Sequence, residues 1–150
     1  MKKALSLVLA LITLLFCLTA CGTDKYKDYH ATNMEAKTFT TYYDDLIFET
    51  DTVELIADYA TYSAYQFNLD YTEGFFENNN LLVFIVQSCS SDQMKYVELR
   101  DKDGLLYPLF ERKKIGKNEP VTDDFILHSY CVEISKEFEY KAGEIIYNYK

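Results

Sequence analysis

The chain of 150 residues is 49% hydrophobic and 26% charged, and its formal net charge is −9. This length suits one domain around one core, and this composition excludes a wholly disordered chain, a collagen and a coiled coil. The acidic balance argues against a nucleic-acid partner, because binding to phosphates requires a basic surface.

The first twenty residues have the pattern of an export signal. Lys2 and Lys3 precede an apolar run over residues 4–18 that only a serine and a threonine interrupt. As a helix this run would be about 22 Å long, which is shorter than the ~30 Å hydrocarbon core of a bilayer. Residues 1–20 are therefore predicted to be a cleavable signal peptide rather than a permanent membrane span.

The end of this leader, Leu18-Thr19-Ala20-Cys21, resembles the lipobox of bacterial lipoproteins. The resemblance implies cleavage after Ala20 and a diacylglyceryl group on the Cys21 thiol. Two acyl chains hold a protein stably on a membrane. We therefore expect a protein anchored by lipid on the extracytoplasmic face of the bacterial cytoplasmic membrane. The alternatives are an ordinary secretory leader, which would leave Cys21 as a free thiol, and an uncleaved anchor helix.

The rest of the chain divides into a tether and one domain. Residues 21–37 are polar and lack a hydrophobic period, so they predict a flexible tether before a single domain over residues 38–150. Two cysteines, Cys89 and Cys131, remain in this domain. Outside the membrane they could join in a disulfide, and the alternative is two buried free thiols.

The first half of the domain mixes strand and helix signals. Residues 38–49 have a strand-like composition, and Asp51 with Glu54 has the spacing of a capping box, which predicts that a helix starts there. Residues 71–80 predict a short helical turn. Residues 81–86 are continuously apolar, which predicts a central strand covered on both faces.

A hairpin is predicted next. Residues 94–100 and 105–112 have the composition of two strands, and Asp103-Gly104 between them is a typical hairpin turn. Pro108 in the second arm indicates a sheet edge or a bulge.

Two further strands are predicted over residues 125–134 and 145–149. Helical segments thus come first and consecutive strands follow. The predicted fold class is α+β, with an N-terminal helix packed on a mostly antiparallel sheet of about five strands.

Aromatic and aliphatic residues form a pattern over residues 71–136, with a hairpin inside it: Tyr71-x-x-x-Phe75-Phe76, Leu81-Leu82-Val83-Phe84, Thr122-Asp123 and Val132-Glu133-Ile134. This pattern resembles the protease-stability lipoprotein domain. That family comprises small bacterial surface lipoproteins, one of which accompanies a surface protease complex. The resemblance implies no catalytic residue, because the pattern contains none.

The sequence offers few groups for catalysis. It lacks the motifs of zinc proteases, serine hydrolases and phosphate-binding loops. Its two histidines are His30, in the predicted tether, and His128, in a predicted strand where we expect a hydrogen-bonded structural residue. Residues 101–104 resemble a fragment of a calcium loop but lack its ligand spacing, so a plain turn is expected. We therefore predict no catalytic residue, no metal, no cofactor and no enzymatic activity.

Two features offer a binding surface. The chain has 14 tyrosines and no tryptophan; these side chains either form a contact surface or fill a core that is short of leucine. The only basic cluster could contact lipid headgroups or an acidic partner, and the alternative is a solvated loop. It consists of Arg112, Lys113, Lys114 and Lys117.

These features predict a non-catalytic surface protein that serves as an interaction or accessory module for an extracytoplasmic protein partner. One alternative is an inhibitor or ligand-binding lipoprotein whose acidic surface fits a cationic target such as lysozyme. A second alternative is a hydrolase whose site no motif reveals, which a pocket lined by convergent acids would indicate.

Overall fold

The computed structural model describes residues 26, 28–41, 47–113, 116, 122 and 124–150. Strands make up 48% of the described residues and helices 9%. The described chain forms two β-sheets, sheet A with five strands and sheet B with four. Side chains from both sheets share one hydrophobic core, so the architecture is a β-sandwich.

The described elements are, in chain order, β1 His30–Ala31, β2 Lys37–Phe39, β3 Thr52–Ile56, α1 Tyr59–Ala64, α2 Phe75–Asn78, β4 Asn79–Ser88, β5 Met94–Lys102, β6 Leu105–Arg112, β7 Ile126–Ser135, β8 Lys141–Ala142 and β9 Ile146–Tyr149. Sheet A has the order β1-β5-β6-β8, and β9 also pairs with β6. Sheet B has the order β2-β7-β4-β3. The described pairs are antiparallel except those of β8 and β9 with β6, which are parallel.

Strand β4 lies at the centre of the molecule. It pairs with β3 on one side and with β7 on the other, and residues 81–86 have no exposed surface. Alternate side chains, of which Phe84 is the largest, pack into the core between the sheets. The others, including Val83, pack on the outer face of sheet B. The predicted central strand with two covered faces is confirmed.

Aromatic residues are prominent in both cores. Between the sheets, the ring of Phe84 stacks on Tyr130 with centroids 5.3 Å apart and meets Phe110 of sheet A edge-on. On the outer face of sheet B, Tyr62 from α1 and Phe76 from α2 cover the sheet. Each large apolar side chain buried in this way contributes about 1.5–3 kcal/mol to stability.

The hairpin between β5 and β6 is confirmed. Asp103 and Gly104 have φ angles of 53° and 74°, the left-handed values that a type I′ hairpin turn requires at both central positions. Strand β5 has a bulge between Tyr96 and Glu98. Pro108 lies between the stretches of β6 that pair with β8 and β9, a position that suits a residue without a backbone N–H.

The predicted α+β fold with an N-terminal helix on one sheet is wrong. The segment that begins at Asp51 forms β3 instead of a helix. Val53 and Leu55 pack into the core between the sheets, and five residue pairs with β4 outweigh the local capping signal. Helix α1 begins only after Asp58, whose carboxylate accepts the N–H of Thr61 at 2.8 Å.

The chain upstream of β2 belongs to the fold. Strand β1 pairs with β5 in sheet A, Met34 packs against the core, and β2 pairs with β7 in sheet B. Of the predicted tether over residues 21–37, the part from residue 28 onward is therefore integrated into the sandwich. Residues 1–25, which include the predicted signal peptide and Cys21, lie outside the described residues.

Candidate functional site at the polar end of the sandwich

Several polar side chains meet at one end of the sandwich, where β4, β6 and β9 finish and β5 and β7 begin. We call this region the polar end and define it by Ser88, Asp92, Arg112 and His128. The opposite end surrounds the Asp103-Gly104 turn, and we call it the hairpin end.

Ser88 and His128 form a hydrogen bond at the polar end. Ser88 is the last residue of β4, and His128 lies opposite Val86 in β7. The Ser88 Oγ is 2.8 Å from the His128 Nε2, and Ser88 is only 5% exposed. Burial lowers the pKa of His128, although the nearby Asp92 carboxylate acts in the opposite direction. The imidazole is therefore neutral at pH 7.

Asp92 and Arg112 form an ion pair behind this hydrogen bond. The Asp92 side chain has no exposed surface, and its Oδ2 lies 2.5 Å from an Nη of Arg112. The same guanidinium lies 5.5 Å from the ring centre of Tyr147, whose hydroxyl donates to Asp51 at 2.8 Å. These contacts join the ends of both sheets. Removal of one partner from a buried ion pair typically costs about 3–5 kcal/mol of stability.

A hydrogen-bonded cluster on the surface closes the same end. The Ser90 hydroxyl donates to the Asp124 carboxylate at 3.1 Å, and the Thr122 N–H donates to Ser91 Oγ at 3.2 Å. Hydrogen bonds from Thr122, and next from Ser90, lower the pKa of Asp124. The turn after β4 is thereby tied to the segment before β7.

The Ser88–His128 pair has the composition of a nucleophile and its base, and a carboxylate is nearby. A catalytic triad needs that carboxylate to orient the imidazole. Here the Asp92 carboxylate pairs with Arg112, and among the described hydrogen bonds none joins it to His128. The Ser88 hydroxyl is also buried. The arrangement is that of an interior polar network.

An open depression of about 580 Å³ lies beside α1 and α2. Asp58, Glu73, Glu77 and Lys136 contribute its charged groups. Two of these have structural contacts: Lys136 Nζ donates to two backbone carbonyls, and hydrogen bonds from Thr61 lower the pKa of Asp58. A general acid needs the opposite shift, so Asp58 does not support the hydrolase alternative.

The two cysteines of the domain are free and lie far apart. Cys131 is buried in β7 opposite Val83, whereas Cys89 follows the end of β4, six residues beyond Val83. Six strand residues span about 20 Å. The Cα atoms of a disulfide lie about 4.4–6.8 Å apart. Of the two alternatives for these cysteines, the disulfide is therefore contradicted: among the described residues both thiols are free, and Cys131 is the buried one.

The predicted basic cluster is only partly described. Arg112 pairs with the buried Asp92, so its guanidinium stabilises the fold. Lys113 is exposed, and its backbone N–H donates to the carbonyl of Gln93. Lys114 and Lys117 lie outside the described residues. A contact role for this cluster stays a prediction.

The structure also places three polar residues together on the outer face of sheet B. Glu133 accepts hydrogen bonds from Lys37 and from the Tyr71 hydroxyl, the latter at 2.8 Å. The bond from Lys37 is the main cause of the lowered pKa of Glu133. The pairing of β2 with β7 brings Lys37 to Glu133, and packing of the aromatic cover on sheet B adds Tyr71, so no sequence pattern could have identified the cluster.

Most of the described tyrosines fill cores. Those in the aromatic cover of sheet B are Tyr62, Tyr65 and Tyr71, and those between the sheets are Tyr96, Tyr130, Tyr140 and Tyr147. Of the two interpretations of the tyrosine content, packing accounts for these residues.

Comparison with known proteins identifies no relative. No family model, curated protein or solved structure matches the chain. Among the described residues, no helix has the length and apolar character needed to span a bilayer. In the same part of the chain, no group of three or more His, Cys, Asp or Glu side chains is placed to bind a metal. Both resemblances noted in the sequence stay predictions.

Acid should destabilise the protein partly through His128. Its pKa in the folded state is below the unfolded value of 6.5, so the unfolded chain binds the proton more readily and stability falls as the pH drops through this value. Urea unfolding at about pH 7.5 and about pH 5.5 should show a smaller acid loss for His128→Gln than for the unchanged protein.

Ser88→Ala is the control, because it removes the hydrogen bond but keeps the titrating group. It should cost about 1 kcal/mol at neutral pH and retain the acid loss. An equal acid loss in the unchanged protein and in His128→Gln contradicts this prediction.

A fluorophosphonate probe, which labels activated serines, should leave the native protein unmodified, because the Ser88 hydroxyl is buried. Intact-mass measurement checks this result. Labelling of the native protein that disappears in Ser88→Ala would show a reactive serine and favour the hydrolase alternative.

Proposed function

We propose that this protein is a lipid-anchored surface protein that binds an extracytoplasmic protein partner without catalysing a reaction. The lipobox resemblance at residues 18–21 supports the anchor, and exposed apolar side chains at the polar end support the partner. The two halves of the proposal rest on different parts of the chain, so they can be tested separately.

The main support for a protein partner is a pair of neighbouring exposed apolar side chains at one end of sheet B. Ile126 lies opposite Ser88 and is 38% exposed, and its neighbour Phe125 is 66% exposed. Exposed apolar groups that are rimmed by polar side chains mark interaction surfaces. The cluster of Ser90, Ser91, Thr122 and Asp124 supplies such a rim.

The polar network beneath this surface supports a binding role. Ser88 and His128, the side chains best suited to catalysis, form an interior hydrogen bond with each other. Asp92 forms an ion pair with Arg112. These contacts fix the ends of β4, β6 and β7 in one geometry. A rigid frame lowers the entropy cost of binding a partner.

The anchor is tested by Cys21→Ala. This variant should move from the membrane fraction to the soluble or secreted fraction, because it lacks the thiol that receives the lipid. Cys17→Ala is the matched control: its substitution falls within the leader, so the mature protein should stay with the membrane and be heavier by a diacylglyceryl group. Membrane association of Cys21→Ala contradicts the anchor.

The partner is tested with a photoreactive amino acid in place of Ile126 in cells. A discrete cross-linked adduct is expected, because this position belongs to the exposed apolar pair at the polar end. The matched control is the same substitution at Val97, an aliphatic strand residue that is 40% exposed at the bulge of β5. Adducts of equal yield at both positions, or at neither, contradict the proposed surface.

A further inference from the structure

The proposed lipid attachment at Cys21 is only a short stretch of chain away from the described residues at the hairpin end. Tyr26 already contacts the domain: its carbonyl accepts the N–H of Tyr29 at 3.0 Å and a guanidinium N–H of Arg100 at 3.5 Å. Cys21 precedes Tyr26 by five residues, which even a fully extended chain spans in only about 18 Å. The two ends of the sandwich are about 30 Å apart, the length of the nine-residue strand β5. The anchor therefore reaches the hairpin end more easily than the polar end.

The hairpin end carries aromatic side chains of the kind found at membrane interfaces. Tyr29 and Tyr107 pack with ring centroids 4.8 Å apart, and Lys102 Nζ lies 4.8 Å from the centre of the Tyr29 ring. Phe138, which is 54% exposed, packs against Tyr140 at 5.8 Å.

Backbone hydrogen bonding brings the second aromatic pair next to the hairpin turn. The N–H of Lys141 donates to the carbonyl of Gly104 at 2.9 Å, and Leu105 pairs with Lys141. Tyrosine and phenylalanine at one end of a domain, with a lysine that can extend toward headgroups, suit the boundary between lipid and water.

We propose that the hairpin end docks on the bilayer surface through Phe138 and its neighbouring aromatic side chains, and that the polar end consequently faces away from the membrane. This inference rests on the proposed lipid at Cys21 and adds a fixed orientation to it. The contact is apolar rather than electrostatic, because exposed acids such as Asp103 and Glu139 share this end.

The absence of tryptophan from the chain permits a direct test. Phe138→Trp places a single, selectively excitable tryptophan at the hairpin end, and Tyr149→Trp places one at the polar end. The two original side chains are 54% and 58% exposed, so the larger tryptophan ring does not have to be accommodated in a packed core at either position. The variants are expressed from the complete sequence, purified in the form that the cell processes them to, and mixed with phosphatidylcholine vesicles with and without brominated acyl chains, which quench tryptophan at the membrane.

We expect the Phe138→Trp emission to shift to the blue on vesicles and to lose intensity when the acyl chains are brominated. The Tyr149→Trp emission should show neither change. Flotation of the vesicles distinguishes failure of the lipid anchor from failure of the proposed orientation. Failure of the protein to float overturns the lipid anchor and this inference with it. Flotation with equal quenching of both variants, or with none, overturns the orientation alone. A blue shift of Phe138→Trp without quenching indicates contact with another protein copy and also overturns the docking.

Discussion

Burial of β4 on both faces is the constraint on which the structure depends. Because residues 81–86 have no exposed surface, each face of this strand needs its own cover. Sheet A supplies one cover, and the short helices with the aromatic segment around them supply the other. The molecule therefore has three layers, although helices account for only a small share of the described residues.

The three-layer arrangement explains where the polar groups lie. Strand β4 is buried on both faces, and its apolar run ends near Ser88, where a polar residue becomes buried. The hydrogen bond with His128 satisfies the Ser88 hydroxyl, and the Arg112 guanidinium offsets the buried charge of Asp92. The polar end is thus a physical consequence of the central strand as well as a candidate surface for a partner.

Sequence reasoning succeeded where a few adjacent residues determine the backbone. A continuous apolar run identifies residues 81–86, and Asp103-Gly104 identifies the hairpin turn, because its two central positions need left-handed φ angles. It failed for β3, where a local helix start at Asp51 and Glu54 competes with pairing to a strand that is distant in sequence. Sheet pairing is a tertiary effect, and it overrides local propensity.

The candidate site was less predictable than the fold. Ser88 and His128 are 40 positions apart, and only the register of β4 with β7 makes them neighbours. Asp92 has no distinguishing sequence context, and its partner Arg112 was assigned to a surface cluster, because a run of basic residues hides the one that turns inward. Cys131 could not be separated from Cys89 by composition. Only the register shows that one lies mid-strand and the other beyond the strand end.

The N-terminal segment also determines how the protein would respond to mechanical load. Tension applied through the N-terminus first meets the contacts of Tyr26 and then β1, which pairs with β5 over only two residues. These pairs would peel before the three pairs of β2 with β7 and before either core is disturbed. Release of residues 28–31 would add about 13 Å of chain. Strand β1 is therefore the first strand expected to detach under load, before the two sheets separate.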